Sequence, residues 1–364
     1  MKHSTLLTSA LLGGLLFSTS ALADGIRASL EMSKQNYNAN EDVTVRVTLT
    51  NDEKVPVKIL KWYTAADGVE EALFKVSVNG EAKHYLGAHY KRPAPQTKDY
   101  IKLKAGESVS YEVELSSLYD LTEQGNYEIA YDVSSMQLFA PNAGQQNKLA
   151  RLGIDGIQSE SVSFFHEGIE TKAGSNKGKP GTGDGGGGGS TDGVSFSGRC
   201  SNSQMSDTLA GLAAAKSMAG DAKGYLNSAS NPASSLRYNT WFGAYSSSRW
   251  NTVSNHFNAI DSALNTQPLT FDCSCKKSYY AYVYPTQPYK IYLCNAFWSA
   301  PVTGTDSKGG TIVHEMSHFD VVAGTDDVVY GHSGAKNLAQ TNPDQAIQNA
   351  DSHEYFAENT PFQN

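Results

Sequence analysis

The chain has 364 residues and a formal net charge of −8, and 18% of its residues are charged. This length allows two domains with separate cores. The acidic balance argues against a nucleic-acid partner, because phosphate binding requires a basic surface and the sequence has no basic stripe. The 33 glycines, 20 tyrosines and low charged fraction suit an exported protein better than a cytosolic one.

The first 23 residues have the pattern of a signal peptide. Lys2 and His3 precede an apolar run from Leu6 to Phe17, and the small residues of A-L-A at 21–23 provide a cleavage site. The apolar run is too short to span a bilayer, and no later stretch is apolar enough to do so. We therefore expect a secreted, extracellular protein without a membrane segment, with an N-terminal membrane anchor as the alternative.

Residues 24–171 are predicted to be all-β. Short β-branched segments with alternating apolar and polar side chains occur at 43–50, 55–62, 73–78, 108–115 and 127–133. Such alternation, separated by turns such as Asn79-Gly80 and 124–126, predicts an antiparallel sandwich of immunoglobulin-like type. This half contains no cysteine and no cluster of catalytic residue types.

A glycine-rich stretch at 172–193 divides the chain. Glycine loses the most backbone entropy on ordering, and this stretch has few side chains to bury in return, so a mobile linker is predicted. It contains Lys172, Lys177 and Lys179.

Residues 194–364 change to helical periodicity and predict an α+β domain. Apolar side chains recur at helical intervals over 206–226, behind Ser206 or Asp207 as the N-cap. Further elements are predicted as a helix at about 250–264 and tyrosine-rich strands at 279–284 and 290–294. The tyrosines are expected to form core and cleft wall rather than a cofactor site.

All four cysteines lie in this second half, at Cys200, Cys273, Cys275 and Cys294. Behind a signal peptide, an even number of cysteines predicts two disulfides. Because one residue separates Cys273 from Cys275, each is expected to pair with one of the two distant cysteines. A zinc site built from these cysteines is the alternative, but export and the absence of C-x-x-C spacing argue against it.

The segment H-E-M-S-H at 314–318 predicts a metal site. On a helix, His314 and His318 lie one turn apart on the same face, with Glu315 beside them. Gly310 is expected near the start of this helix, and Gly324 is expected to end it and turn the chain back. A catalytic zinc takes three protein ligands and keeps one position open, so a third ligand must follow.

Six downstream residues have suitable side chains: Asp320, Asp326, Asp327, His332, His353 and Glu354. Asp320 falls on the wrong face of the helix. Asp326 or Asp327, on the return of the chain, could reach the ion.

The string G-T-D-D-V-V-Y-G at 324–331 resembles the G-T-x-D-x-x-Y-G signature of the aspzincins, the deuterolysin-type zinc metalloendopeptidases. The resemblance implies that Asp327 is the third zinc ligand and that Tyr330 hydrogen-bonds the tetrahedral intermediate. The resemblance covers about residues 200–364. Within the family, this part of the sequence is most similar to the peptidyl-Lys metalloendopeptidases. It implies a zincin-like domain with one zinc ion, and the disulfides Cys200–Cys273 and Cys275–Cys294.

The expected chemistry is peptide hydrolysis, with Glu315 as general base for a zinc-activated water and then as proton donor to the leaving amine. Tyr330 would help to stabilise the oxyanion. Without the resemblance, a packing role for this tyrosine would be preferred.

Substrate selection is predicted to involve Asp351 and Glu354. Residues three apart on a helix share a face, and two close carboxylates call for a cation. In the lysine-specific relatives that the sequence resembles, acidic residues at the matching positions bind the lysine after the scissile bond. Cleavage on the N-terminal side of lysine is therefore expected, and two solvated surface acids are the alternative.

The N-terminal half is predicted to be a propeptide that covers the cleft and is removed by self-cleavage at a linker lysine. Protein or peptide substrates and this propeptide are the expected partners, and the chain is expected to be monomeric. The alternatives are a permanent adhesion or carbohydrate-binding module, or an exported binding protein with a structural zinc. Structural zinc normally has four protein ligands, and three are identified here.

Overall fold

The computed structural model describes residues 25–39, 41–140, 156–168, 190–191 and 193–363. The predicted signal peptide and most of the predicted linker lie outside these ranges. One hydrophobic core is built mainly from residues between Ile26 and Phe164, and another from residues between Val194 and Ala357. In the part of the chain that the structure describes, no helix is both long and apolar enough to cross a membrane.

The N-terminal region is β-rich, as predicted. Its strands are β1 (Ile26–Met32), β2 (Asn36–Tyr37), β3 (Thr44–Asn51), β4 (Val57–Leu60), β5 (Phe74–Val78), β6 (Glu81–Lys83), β7 (His89–Lys91), β8 (Tyr100–Leu103), β9 (Ser108–Glu114), β10 (Gly125–Ser134), β11 (Gly156–Gln158) and β12 (Val162–His166). One sheet has the order β1-β3-β9, a second has β2-β12-β10-β5-β6 with β11 on β10, and β4 pairs with β8. The immunoglobulin-like topology stays a prediction.

The alternation of side chains explains how these sheets share a core. Val45, Val47 and Leu49 of β3 are buried while the residues between them are not, and β10 alternates in the same way. Burial of every second side chain is expected when one face of a sheet packs on the core and the other face contacts solvent. The Asn79-Gly80 turn joins β5 to β6, with positive φ at both residues.

Two local predictions in this region were wrong. The predicted turn at 124–126 is replaced by the start of β10, because Gly125 pairs with His166 of β12. The predicted strand at 55–62 is limited to β4, and a 3-10 turn over Lys61–Tyr63 follows it.

The C-terminal region contains the expected mixture of strands and helices. Its strands are β13 (Ser190–Thr191), β14 (Val194–Ser197), β15 (Leu269–Asp272), β16 (Ala281–Val283) and β17 (Lys290–Leu293). Its helices are α1 (Asn202–Ser228), α2 (Leu236–Phe242), α3 (Ser247–Thr266), α4 (Asn295–Ser299), α5 (Lys308–His318), α6 (Gly331–Thr341), α7 (Pro343–Ala346) and α8 (Ala350–Glu358). The sheet order is β13-β14-β15-β17-β16-β7. Its last strand, β7, therefore comes from the N-terminal region.

Two helix boundaries differ from the sequence-based expectation. Helix α1 begins earlier than Ser206, because the Ser201 and Gln204 side chains form a capping box at its start. Helix α5 ends at His318 because Phe319 has extended backbone angles. Gly324, with φ of +57°, instead belongs to the turn that follows.

Two disulfides hold the C-terminal sheet to its flanking segments. Cys200 pairs with Cys273, and Cys275 pairs with Cys294. These are the pairs that the family resemblance implies.

Candidate active site

Three of the predicted metal-binding side chains converge at the end of α5. His314 and His318 are fully buried on this helix, and their ring centroids are 4.8 Å apart. The turn after α5 brings the buried Asp327 carboxylate to both rings, with Oδ1 3.1 Å from His314 Nε2 and Oδ2 3.5 Å from His318 Nε2. The chain reversal therefore brings the third donor to the same point as the first two.

The donor atoms fit a zinc ion. His318 Nδ1 lies 2.7 Å from the Thr325 carbonyl oxygen, so Nδ1 carries the hydrogen and Nε2 keeps its lone pair. The Nε2 atoms of both histidines and Oδ1 of Asp327 are buried and form no hydrogen bond with any residue that the structure describes. Two imidazole nitrogens and one carboxylate are a usual donor set for catalytic zinc.

Four of the five other candidate ligands lie elsewhere, whereas Glu354 Oε2 lies 3.2 Å from Nδ1 of His314, the nitrogen that faces away from Asp327. The Asp326 side chain is 69% exposed, and Asp320 is exposed as well. His353 faces His256 at 3.0 Å, and His332 packs against Trp241.

A segment of the N-terminal region lies in the cleft beside this site. Strand β7 pairs antiparallel with β16, with Lys91 opposite Ala281 and Tyr90 opposite Tyr282. The Tyr280 amide donates to the Lys91 carbonyl oxygen at 2.9 Å. The segment is thus bound in the extended form that a peptide substrate would take along a strand edge.

The Tyr90–Lys91 peptide bond lies between Glu315 and Tyr330. The Lys91 amide donates to Glu315 Oε1 at 3.2 Å, and the Tyr330 hydroxyl is 3.1 Å from the Tyr90 carbonyl oxygen. Burial raises the pKa of the Glu315 carboxyl to about 7, which suits a group that takes and returns a proton near neutral pH. The carboxylate and the hydroxyl are therefore at the two ends of one peptide bond.

The Lys91 side chain ends in a pocket of acidic residues. Its Nζ is 2.9 Å from Asp351 Oδ1, 2.8 Å from Glu354 Oε2 and 3.0 Å from Asp306 Oδ1. Lys91, Asp351 and Glu354 are all fully buried. The Tyr355 hydroxyl lies 3.5 Å from the same nitrogen.

Charge pairing keeps this lysine ionised. Burial acts to lower the pKa of Lys91, but Asp351 and Glu354 raise it well above its ordinary value. Burial likewise acts to raise the pKa of Asp351, and the neighbouring ammonium lowers it to about 2. The pocket also borders the metal site, because His314 Nδ1 is 3.0 Å from Asp351 Oδ1 and 3.2 Å from Glu354 Oε2.

Further contacts hold the segment in place after Lys91. The Arg92 guanidinium is buried, pairs with Glu71 and donates to the Tyr330 hydroxyl at 2.6 Å. Glu70 pairs with Lys277 and accepts from the Tyr279 hydroxyl at 2.6 Å, which links the two regions.

Sequence reasoning missed part of this site. Asp306 and Tyr355 complete the lysine pocket, and Tyr355 was detectable because it lies four residues after Asp351 on the same helical face. Asp306 lies in a stretch with no recognisable spacing to the other acids. No pattern in the N-terminal half distinguished Lys91 or its neighbours from the other strand residues.

The chain is similar to known peptidases over both halves. A family model described as lysine-specific metallo-endopeptidase matches residues 227–358. An extracellular protease of Aeromonas hydrophila is 46% identical over 97% of this chain and 97% of its own length. A peptidyl-Lys metalloendopeptidase of Armillaria mellea is 35% identical over 89% of each chain. A solved zinc peptidase from Grifola frondosa is 47% identical and covers 45% of this chain and all of its own, with a TM-score of 0.43.

Replacing Asp327 with alanine is expected to abolish tight metal binding, because it removes one of three converging donors. We predict that Asp327→Ala lowers zinc affinity by at least about 100-fold, the upper end of what loss of an outer-shell partner costs. The matched control is Asp326→Ala, which removes the adjacent exposed carboxylate. The measurement is zinc content after dialysis against a weak chelator, with circular dichroism as a check on folding. Equal zinc loss in the two variants would contradict the ligand assignment.

Proposed function

We propose that this chain, which belongs to the aspzincin family of zinc metalloendopeptidases, is made as a latent extracellular enzyme that cuts on the amino side of lysine. The observation that carries the proposal is the Tyr90–Lys91 bond, with Lys91 Nζ in the acidic pocket and the peptide group between Glu315 and Tyr330.

The catalytic roles follow from this geometry. A zinc ion held by His314, His318 and Asp327 would supply Lewis acidity that activates water and polarises the scissile carbonyl. Glu315 accepts the proton of the attacking water and delivers it to the amide nitrogen, from which its Oε1 is 3.2 Å away in the Lys91 contact. The Tyr330 hydroxyl donates to the carbonyl oxygen as negative charge develops there.

The selectivity for lysine rests on Asp351 and Glu354. Leaving these buried carboxylates without a cation is costly, so a neutral side chain in the pocket would be rejected. Asp306 and Tyr355 add two further contacts to the ammonium. Lysine is therefore selected at the position after the scissile bond.

Latency follows from occupation of the cleft by residues 89–92. A substrate needs the edge of β16, the acidic pocket and the Tyr330 hydroxyl, and Tyr90, Lys91 and Arg92 contact all three. The N-terminal region therefore inhibits as a substrate-like segment. This supports the propeptide interpretation over a permanent accessory module.

Occupation of the cleft also determines how activation proceeds. A linker lysine cannot enter the pocket while Lys91 fills it in the same molecule. Cleavage at Lys172, Lys177 or Lys179 is therefore expected to come from a second molecule whose own cleft has already been cleared. One processed enzyme can then cut many precursors.

The full organisation that we propose has four parts. A signal peptide (1–23) directs export, a sandwich propeptide (24–171) fills the cleft, a linker (172–193) is cut, and the protease (194–364) acts as a monomer with one zinc. β13 lies at the end of the linker range and pairs with β14, so the cut is expected before it.

Removing one carboxylate from the pocket is expected to weaken lysine selectivity. We predict that Asp351→Asn lowers the ratio of kcat/KM for a lysine peptide over its leucine analogue by about 100-fold, because the buried ammonium loses one of its two fully buried carboxylate partners and breaking such a pair costs about 3 kcal/mol or more. The ratio is the readout because Asp351 also faces His314, so total activity is expected to fall as well. The control is Asp344→Asn, at an exposed acid that pairs with Arg249 and makes no contact with Lys91. An unchanged ratio in Asp351→Asn would contradict the assignment of Asp351 to lysine recognition.

Removing the inhibitory side chain is expected to relieve latency. We predict that the Lys91→Ala precursor, made metal-free and then loaded with zinc, cuts a lysine peptide at least about tenfold faster than the unaltered precursor before any linker cleavage, since it loses a buried ion pair. The control is Lys98→Ala, an exposed lysine of the same region. Equal latency of all three precursors would show that this lysine does not hold the cleft closed.

A further inference from the structure

The Tyr90 ring lies on an aromatic surface formed by the C-terminal region. Its centroid is 5.3 Å from that of Tyr282 and 5.4 Å from that of Tyr279. Tyr90 precedes the bond in the catalytic position, so these two rings border the site for the residue before the cut. We propose that Tyr279, Tyr282 and Lys277 form a subsite that selects an aromatic residue immediately before the lysine. This inference rests on the proposed function.

Strand register brings any bound substrate to the same surface. Tyr90 and Tyr282 are directly opposite each other in the antiparallel pair of β7 and β16. Side chains at opposite positions project to the same face and lie next to each other. A peptide with its lysine in the acidic pocket and its backbone on β16 therefore lays its preceding side chain against Tyr282.

The surface is preorganised by its own packing. The Tyr282 ring stacks on Tyr292 with a centroid distance of 4.4 Å and an interplanar angle of 4°. Tyr284 packs edge-on against both rings, at 5.9 and 6.0 Å. A ring that is already fixed loses little entropy when a ligand binds to it, so aromatic contact contributes to affinity.

Lys277 adds a charge preference to the subsite. Its Nζ is 5.0 Å from the Tyr90 ring centroid and 5.4 Å from that of Tyr279. In the precursor Glu70 neutralises this ammonium, but Glu70 leaves with the N-terminal region. The released ammonium then favours the face of an aromatic side chain and repels an arginine at the same position.

Four peptides of the form acetyl-Ala-Ala-X-Lys-Ala-Ala test the preference, with Tyr, Leu, Glu or Arg at X. With the processed enzyme, we expect kcat/KM for X = Tyr to exceed that for X = Leu by roughly three- to tenfold, the range of one aromatic pair. We expect X = Arg to be cut more slowly than X = Leu. A Tyr peptide cut no faster than the Leu peptide, or more slowly than the Glu peptide, would overturn the inference.

A fifth peptide, with Leu in place of Lys after X = Tyr, separates this inference from the proposed function. If lysine peptides are cut without regard to X, the aromatic subsite fails and lysine selectivity stands. If the fifth peptide is cut as fast as its lysine counterpart, the proposed selectivity fails.

Two matched substitutions locate the preference. Tyr282→Leu is expected to reduce the Tyr-to-Leu ratio to within about twofold of one, since it removes the ring opposite the substrate. The control is Tyr245→Leu, which makes the same change at a tyrosine outside the subsite. Tyr245 is 38% exposed and its ring packs on Trp250. This control is expected to keep the full ratio. Tyr279→Leu provides a second variant should Tyr282→Leu fail to fold, and an unchanged ratio in a folded variant of either tyrosine contradicts the assignment.

Discussion

The ion pair between Lys91 and the acids of α8 is the interaction on which the rest of the arrangement depends. Removing an ammonium and two carboxylates from water costs several kcal/mol for each ion, and this cost is recovered only with close and multiple contacts. Lys91 meets Asp351, Glu354 and Asp306 within 3.0 Å. The buried acids therefore need a cation in the pocket, which Lys91 supplies in this structure. In the function that we propose, a substrate lysine supplies it after processing.

The same ion pair fixes the neighbouring peptide bond. With Lys91 anchored in the pocket and its backbone paired to β16, Tyr90 is one residue upstream and its carbonyl oxygen meets the Tyr330 hydroxyl. In the function that we propose, the lysine pocket thus serves both recognition and alignment. Asp351 connects the two sites directly, because its Oδ1 faces Lys91 and its other oxygen accepts from the Gly331 amide next to Tyr330.

Much of the geometry of the candidate site was predictable from local spacing. The four-residue interval of His314 and His318 and the three-residue interval of Asp351 and Glu354 both follow from the pitch of a helix. Choosing Asp327 over Asp326 required the family signature, since the path of the turn after α5 has no periodic pattern. Asp306 was missed for a similar reason: its backbone has a φ of +52°, a turn conformation that sequence spacing does not reveal.

The contribution of the N-terminal region could not be predicted in the same way. Its alternation correctly indicated β-strands, but His89–Lys91 joins the sheet of the other region. Pairing between strands so distant in sequence depends on the complementarity of two folded surfaces, which periodicity does not encode. Lys91 differs from the other lysines of this region only through the acids it meets in the folded chain.

The occupied cleft is tested most directly by the concentration dependence of precursor processing. Precursor is prepared metal-free, processing is started with zinc, and the initial rate of linker cleavage per molecule is followed over a tenfold range of precursor concentration. If Lys91 closes the cleft of every precursor, linker cleavage needs a second molecule whose cleft has been cleared, and this rate rises in proportion to concentration. A rate per molecule that is independent of concentration would mean that the linker enters its own active site, which contradicts the substrate-like position of residues 89–92.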